Sequence, residues 1–342
     1  MFRGDSAHTG VNPGPGVERS PKLLWRFQTG HAVDSSPAVV EEVVYIGSYD
    51  HHLYALDAAT GEERWRVQTG HVVYCSPAVV DGLVYGGSLY LMDGGVYALD
   101  AATGEERWRF DIARAAYSSP AVVDGVLYIG SIDRCVYALD AATGEERWRF
   151  QTGDIVYSSP AVVDGVVYVG GWDSYVYALD AATGEQRWRF QTGDRVAASP
   201  AVVDQVVYIG SYDNYVYALN AATGDELWRF KTGGFVWSSP AVAGGVVYIG
   251  SYDNYLYALG AATGEQVWRF PTGSAVWSSP AVVDGVVYTS SADAYVYALD
   301  AATGEQLWRF KTGANVYSSP AVVDGVVYVG SDDGYVYAIT EE

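Results

Sequence analysis

Apolar residues along this chain come in short runs, interrupted by polar turn residues at regular intervals. From Pro160-Ala-Val-Val163 the chain passes through Asp164-Gly165 to Val166-Val-Tyr-Val-Gly170. It continues through Asp173 to Tyr175-Val-Tyr-Ala-Leu179, the turn Asp180-Ala-Ala-Thr-Gly184 and Arg187-Trp-Arg-Phe190. Runs this short, rich in Val and Tyr and bounded by Gly and Asp, predict β-strands rather than helices. Asp-Gly between two of them predicts a tight hairpin turn, because glycine takes positive φ without steric cost. The runs are apolar at consecutive positions, which predicts sheets covered on both faces.

The pattern repeats along the chain. Proline recurs at Pro37, Pro77, Pro120, Pro160, Pro200, Pro240, Pro280 and Pro320. Tryptophan keeps step at Trp25, Trp65, Trp108, Trp148, Trp188, Trp228, Trp268 and Trp308, and both series advance by 40 residues except for one step of 43. Four strands in a period of this length predict a propeller blade. The fold class is therefore all-β, an eight-bladed β-propeller with four antiparallel strands per blade. Residues 1–21 read as a lead-in and 22–342 as one propeller domain. The blades fall at about 37–68, 77–111, 120–151, 160–191, 200–231, 240–271, 280–311, and 320–340 plus 22–28. The chain opens on Leu24-Trp25-Arg26-Phe27, an outer strand without its blade, and ends near Tyr337-Ala338-Ile339, a third strand without its fourth. The N-terminal strand is thus predicted to complete the last blade, closing the ring and removing open sheet edges.

The segment Ala55-Leu-Asp57-Ala-Ala-Thr60-Gly61-Glu-Glu-Arg-Trp65 resembles the tryptophan-docking motif of quinoprotein-type (PQQ-like) propellers, which runs Ala-x-Asp-x-x-Thr-Gly-x-x-x-Trp. It recurs at 98–108, 138–148, 178–188, 218–228, 258–268 and 298–308, with Asn220 and Gly260 in place of the aspartate, and an eighth copy is split between Ala338 and Trp25. The resemblance extends to BamB-like proteins, quinoprotein alcohol dehydrogenases and sensor domains of bacterial kinases. The motif also has a structural rationale. A Trp wedged between blades buries a large apolar area, and its indole N–H needs an acceptor that the neighbouring turn can supply.

The resemblance raises the question of catalysis. Quinoprotein dehydrogenases carry a vicinal cysteine pair, whereas Cys75 and Cys135 lie 60 residues apart and read as free thiols, or as a disulfide between adjacent blades. Near-identical blades work against an asymmetric active site, and no Ser-His-Asp grouping, Walker loop or HExxH string is present. The expectation is a non-enzyme without cofactor, PQQ being disfavoured.

Variation is concentrated on one face. Antiparallel connectivity places the fourth-to-first and second-to-third loops together, around one mouth of the channel, and the nearly invariant turns on the opposite face. Three residues before each proline stand Asp34, Tyr74, Tyr117, Tyr157, Ala197, Trp237, Trp277 and Tyr317. These residues fit packing between inner strands, and equally an aromatic funnel for a sugar, a planar ring or a peptide side chain, given direction by Asp34 and Ala197. Arg114, Arg195 and Trp172 belong to the same loops and join the candidate binding residues. His31, His71 and His51 form a candidate metal set, because imidazole suits zinc, copper or nickel; solvent-facing histidines are the plainer reading. The aspartate recurring in the second-to-third-strand loops, such as Asp133, Asp213 and Asp253, reads as a loop-closing hydrogen-bond acceptor. The three-residue extension at Leu89-Tyr-Leu-Met92 could form a partner contact or fold over the channel.

Charge adds exclusions. With 20 Lys and Arg against 41 Asp and Glu, the net charge of −21 argues against nucleic acid and anionic membrane as partners. No apolar run is long enough to span a bilayer and no secretory leader is evident, so membrane insertion is not expected. Taken together, these features predict a monomeric binding or scaffolding propeller that recognises a protein or peptide through its variable face. The family resemblance implies an extracytoplasmic location. The alternatives are a small-molecule or glycan sensor, a recently amplified or engineered repeat without settled function, and a quinoprotein remnant.

Overall fold

A computed structural model describes residues 5–11, 14–87 and 94–341. Among them every regular element is a β-strand, and the strands form eight four-stranded antiparallel sheets. The blade 2 extension at Leu89-Tyr-Leu-Met92 lies outside the described residues. In blade 4 the strands are Ala161–Val163, Val166–Gly170, Tyr175–Asp180 and Gln186–Gln191, numbered outward from the channel. Asp164 and Gly165 take φ of 50° and 71°, the left-handed pair that a two-residue hairpin needs.

The second and third strands are buried almost throughout, as consecutive apolar positions require. The fourth strand behaves differently. Trp188 is buried while Arg187 and Arg189 face outward, because this strand forms the rim and alternates. Arg189 lies 4.6 Å over the Tyr175 ring, covering the third strand from outside.

Ring closure follows the split repeat. Pro21–Gln28 pairs with Tyr335–Glu341, Trp25 opposite Ala338, and becomes the outer strand of the blade whose inner strands are Ala321–Val323 and Val326–Gly330.

Each seam between blades is built from one carbonyl and two donors. The Trp65 indole N–H donates to the Ala101 carbonyl of the next blade at 3.0 Å, and the Tyr45 hydroxyl donates to the same oxygen at 3.1 Å. Trp188 and Tyr168 do the same at Ala221, at 2.8 and 3.1 Å. The Trp ring lies against the docking-turn glycine. A Cβ on Gly184, whose φ is +75°, would come within 2.7 Å of the Trp148 ring, so the glycine of the motif is required twice over. Burying one such ring contributes roughly 4–6 kcal/mol at about 25 cal/mol per Å².

The last blade has no docking turn, since its outer strand comes from the other end of the chain. The lead-in replaces it. The Val17 carbonyl accepts the Trp308 indole at 2.7 Å and the Tyr288 hydroxyl at 3.0 Å, reproducing the two-donor seam. Further upstream, the carbonyls of Ser6, Ala7, Thr9 and Gly10 accept backbone N–H groups of Val162, Val202, Val242 and Val282 at 2.7, 2.9, 2.8 and 2.8 Å. The lead-in therefore runs across the inner strands of blades 4 to 7. Ser6 and Ala7 lie beside Val163, Asp164 and Gly165, towards the invariant-turn end of the channel.

Two predictions follow from these contacts. Deleting residues 1–20 removes the eighth acceptor and the bonds to four inner strands, and is expected to lower unfolding free energy by about 3–5 kcal/mol. An unchanged calorimetric melting temperature would contradict this. Blades 1 and 5 place Glu42 and Gln205 at φ of 61° and 62°, where other blades have glycine. Glu42→Gly and Gln205→Gly are each expected to raise stability by about 0.5–1 kcal/mol in urea unfolding.

Candidate functional site

The segments leading into the inner strands converge on the channel just before their prolines, and an invariant serine there ties the blades into a circle. The Ser36 N–H donates to Ser76 Oγ at 3.0 Å, and the relay continues from Ser76 to Ser119, Ser159, Ser199, Ser239, Ser279 and Ser319. It closes when the Ser319 N–H donates to Ser36 Oγ at 2.9 Å. The preceding serine ties the first strand to the second within a blade: Gly130 N–H donates to Ser118 Oγ at 2.7 Å. Cys75 occupies that serine's place in blade 2, its Sγ accepting Gly87 N–H at 3.1 Å. Both Cys75 and Cys135 are free and buried, so the inter-blade disulfide does not form. Burial pushes the Cys75 thiol up to about 11, which keeps it protonated and unreactive at neutral pH.

Above the serine circle lies a cavity of about 320 Å³ at the variable face. All eight predicted mouth positions line it: Asp34, Tyr74, Tyr117, Tyr157, Ala197, Trp237, Trp277 and Tyr317. The rings form a nearly continuous collar. Tyr74–Tyr117, Tyr117–Tyr157, Trp237–Trp277 and Trp277–Tyr317 have ring centroids 5.6, 4.6, 5.4 and 5.6 Å apart. The expected break at Ala197 is narrowed, because the Trp237 ring reaches past it to within 6.1 Å of Tyr157. The methyl of Ala197 leaves room for this approach. Only the interruption at Asp34 puts a different chemistry in the collar.

That interruption is acidic. Asp34 Oδ2 accepts the Tyr49 hydroxyl at 2.9 Å, whereas its buried Oδ1 is reached by no N–H or hydroxyl donor, which leaves the neighbouring Asp332 carboxyl, when protonated, to hydrogen-bond Asp34. Asp332, on the adjoining loop of blade 8, has its pKa raised to about 7 by burial first and then by Asp34, with Asp333 adding to the effect and His31 opposing it. The Tyr49 hydroxyl is pushed well above the usual phenol range by burial and by Asp34. No basic side chain is among the described residues lining this cavity.

Outside the collar, Trp172 stacks on Tyr157 at 4.7 Å, and the Arg195 guanidinium lies 4.5 Å over Trp172. A second stack links Tyr212 to Phe235 at 4.7 Å and Phe235 to Tyr252 at 4.1 Å. Arg114 is exposed on the blade 3 loop, apart from these stacks. The candidate metal set is not assembled. His51 and His71 approach to 5.7 Å between ring centroids, but His31 is turned onto Tyr49, its Nδ1 accepting the Ala32 N–H at 2.8 Å. Among the described residues no three His, Cys, Asp or Glu side chains are grouped to hold a metal ion. The recurring loop aspartate acts as expected. Asp173 Oδ2 accepts Gly153 N–H and Tyr177 O–H, each at 2.6 Å, and so closes its loop.

Phe235, Tyr49 and Asp332 are the mouth residues that sequence reasoning missed. Tyr49 and Asp332 occupy the repeat position of Trp172, Tyr212 and Tyr252, so aligning that column would have found them. The serine circle had a signal too, in the unvarying serine before each proline.

The closed eight-bladed ring with tryptophan-docked seams defines a PQQ-like β-propeller. Residues 17–90 and 92–194 match the family described as outer membrane protein assembly factor BamB, and residues 165–342 match the β-propeller of beta-alanine-activating enzyme. The chain belongs to the BamB-type family of PQQ-like repeat propellers. Among solved structures, BamB from Moraxella catarrhalis superposes with a TM-score of 0.81 at 20% identity, over 94% of this chain and 100% of that one. The computationally designed Ika8 protein gives 0.83 at 19% identity, covering 92% and 98% of the two chains. Quinohemoprotein alcohol dehydrogenase from Comamonas testosteroni gives 0.86 at 18% identity, over 99% of this chain and 79% of that one. At such identities the likeness is one of fold. No curated protein sequence matches the chain significantly.

The dehydrogenase likeness invites a test of the mouth against PQQ, a quinone bearing three carboxylates. Among the described residues the cavity walls offer tyrosine, tryptophan and serine, with Asp34 and no basic group to neutralise such an anion. The residues present do not fit it.

Asp332 generates the prediction here. Its pKa is raised from 3.8 to about 7, so between those values the folded state holds a proton that the unfolded chain releases. Stability from this group is present below about pH 4 and is lost as pH rises towards 7. Asp332→Asn is therefore expected to gain on the parent as pH rises, by about 1–2 kcal/mol in alkaline buffer after allowing for solvent screening. Equal differences in melting temperature at pH 5 and pH 8 would show that the carboxyl is not held protonated.

Proposed function

We propose that this protein is a non-catalytic scaffold that binds a protein or peptide partner through the variable face around the channel mouth. The observation that carries the reading is the concentration of blade-to-blade variation on this face, where it builds aromatic stacks instead of a reacting constellation. Tyr252, with 48% of its surface exposed, caps one stack, and Arg195 caps another. Tyr, Trp and Arg are the residues that anchor protein interfaces. The family described as an outer membrane protein assembly factor supports the same reading and, with it, an extracytoplasmic location. No cofactor is required, and a monomer suffices, since ring closure is completed within one chain. A second reading, a sensor for a small molecule or glycan, is favoured by the aromatic-walled cavity of about 320 Å³.

Selection of displayed peptides on the immobilised protein tests the scaffold reading. Binders are expected to lose at least tenfold affinity, about 1.4 kcal/mol, on Arg195→Glu combined with Tyr252→Ala. They are expected to be unaffected by Glu145→Ala on the invariant face. Binders that respond only to the invariant-face variant would overturn the proposal.

A further inference from the structure

We infer that the channel mouth is a site for an organic cation, an alkylammonium or guanidinium group held between the Asp34 carboxylate and the aromatic collar. This deepens the partner reading and rests on the same face.

Three observations lead there independently. The cavity is walled by tyrosine and tryptophan rings, which attract a cation through their negative faces. Its wall contains a carboxylate whose Oδ1 is buried and is reached by no N–H or hydroxyl donor, although Oδ2 is held at 2.9 Å by Tyr49. A buried acceptor left open in this way is costly unless a donor reaches it, and the neighbour that can supply one, the protonated Asp332 carboxyl, withdraws it on ionising. Finally, no basic residue of the described wall competes for that carboxylate. Elsewhere the protein pairs its acids with its own arginines, as in Asp100 with Arg107 at 2.6 Å and Asp180 with Arg187 at 2.8 Å. Asp34 is instead flanked along the collar by Tyr317 and Tyr74, and its nearest acidic partner, Asp332, adds negative charge as it ionises.

The geometry sets the size of the guest. A cavity of about 320 Å³ accepts a trimethylammonium head or a lysine or arginine side chain. The serine circle beneath would meet its leading end. A carboxylate, phosphate or nucleotide is excluded by the same charge. The cation has two sources, a free small molecule or a basic side chain of a bound peptide, and both present the same chemistry.

Calorimetric titration of the full chain with choline, and with its neutral isostere 3,3-dimethyl-1-butanol, tests the site. Choline is expected to bind, with the isostere at least tenfold weaker. Asp34→Asn and, separately, Trp277→Ala are each expected to weaken choline at least tenfold, with circular dichroism confirming that each variant is folded. Equal binding of choline and the isostere, absence of choline binding, or an unchanged affinity in Asp34→Asn would each overturn the inference. Titration with Nα-acetyl-lysine methylamide and a short lysine-containing peptide separates the sources. Binding of these probes points to a peptide-borne cation, and binding of choline without them to a free one. If no cation binds but a peptide free of basic residues binds the variable face, the charge reading fails while the scaffold reading stands.

Discussion

Everything in this molecule depends on one carbonyl oxygen per seam that accepts two hydrogen bonds, an indole N–H and a tyrosine hydroxyl from the preceding blade. Either donor buried without a partner would cost about 1–3 kcal/mol, so each seam is self-consistent only when the docking turn presents its alanine carbonyl correctly. An aspartate holds the turn in most repeats and Asn220 does so in one, while the Gly260 turn presents its carbonyl without a side-chain acceptor. Asp180 Oδ1 accepts Ala182 and Thr183 N–H at 3.0 Å, and Arg187 locks the other oxygen at 2.8 Å. Lock, turn, acceptor and ring are all local to one repeat and its neighbour. Repetition can therefore extend the structure until the ring closes.

Closure is where the repeat fails, and the solution shows how strict the seam requirement is. With no docking turn in the last blade, Trp308 and Tyr288 would be left unsatisfied, and Val17 supplies the missing oxygen. The lead-in then continues beneath the inner strands of four blades. Those contacts occupy the invariant-turn end of the channel and leave the opposite mouth free to vary. The division of labour between the two faces follows: one carries the seams, the other carries Asp34, Asp332, Trp172, Arg195 and the collar.

Much of this was legible in the residues. The 40-residue step of Pro and Trp identified the blades, and Leu24-Trp25-Arg26-Phe27 without a blade of its own identified the closure. The positions three before each proline located the mouth, because the segment leading into the inner strand meets the channel at that column in every blade. What resisted reading depends on distances between blades. That Trp237 spans the small Ala197 to reach Tyr157, that His31 turns away from His71, and that Val17 mimics an alanine of a docking turn are all set by packing between segments far apart in sequence. Asp332 was hidden for a related reason. In its own repeat it is one more loop acid, and it becomes unusual only when closure brings blade 8 against blade 1 and sets it beside Asp34.

The equivalence of the eight seams is the central claim, and exchange of tryptophan indole protons measured by NMR tests it most directly. Eight of the 11 tryptophans are docking residues, and the remaining three, Trp172, Trp237 and Trp277, lie at the mouth. If Val17 completes the ring as an authentic seam, Trp308 exchanges as slowly as the seven indoles bonded to docking-turn alanines, and all eight are released together on unfolding. If Trp308 exchanges early and by itself while the other seven remain protected, the lead-in is not an equivalent seam and the closure described here is wrong.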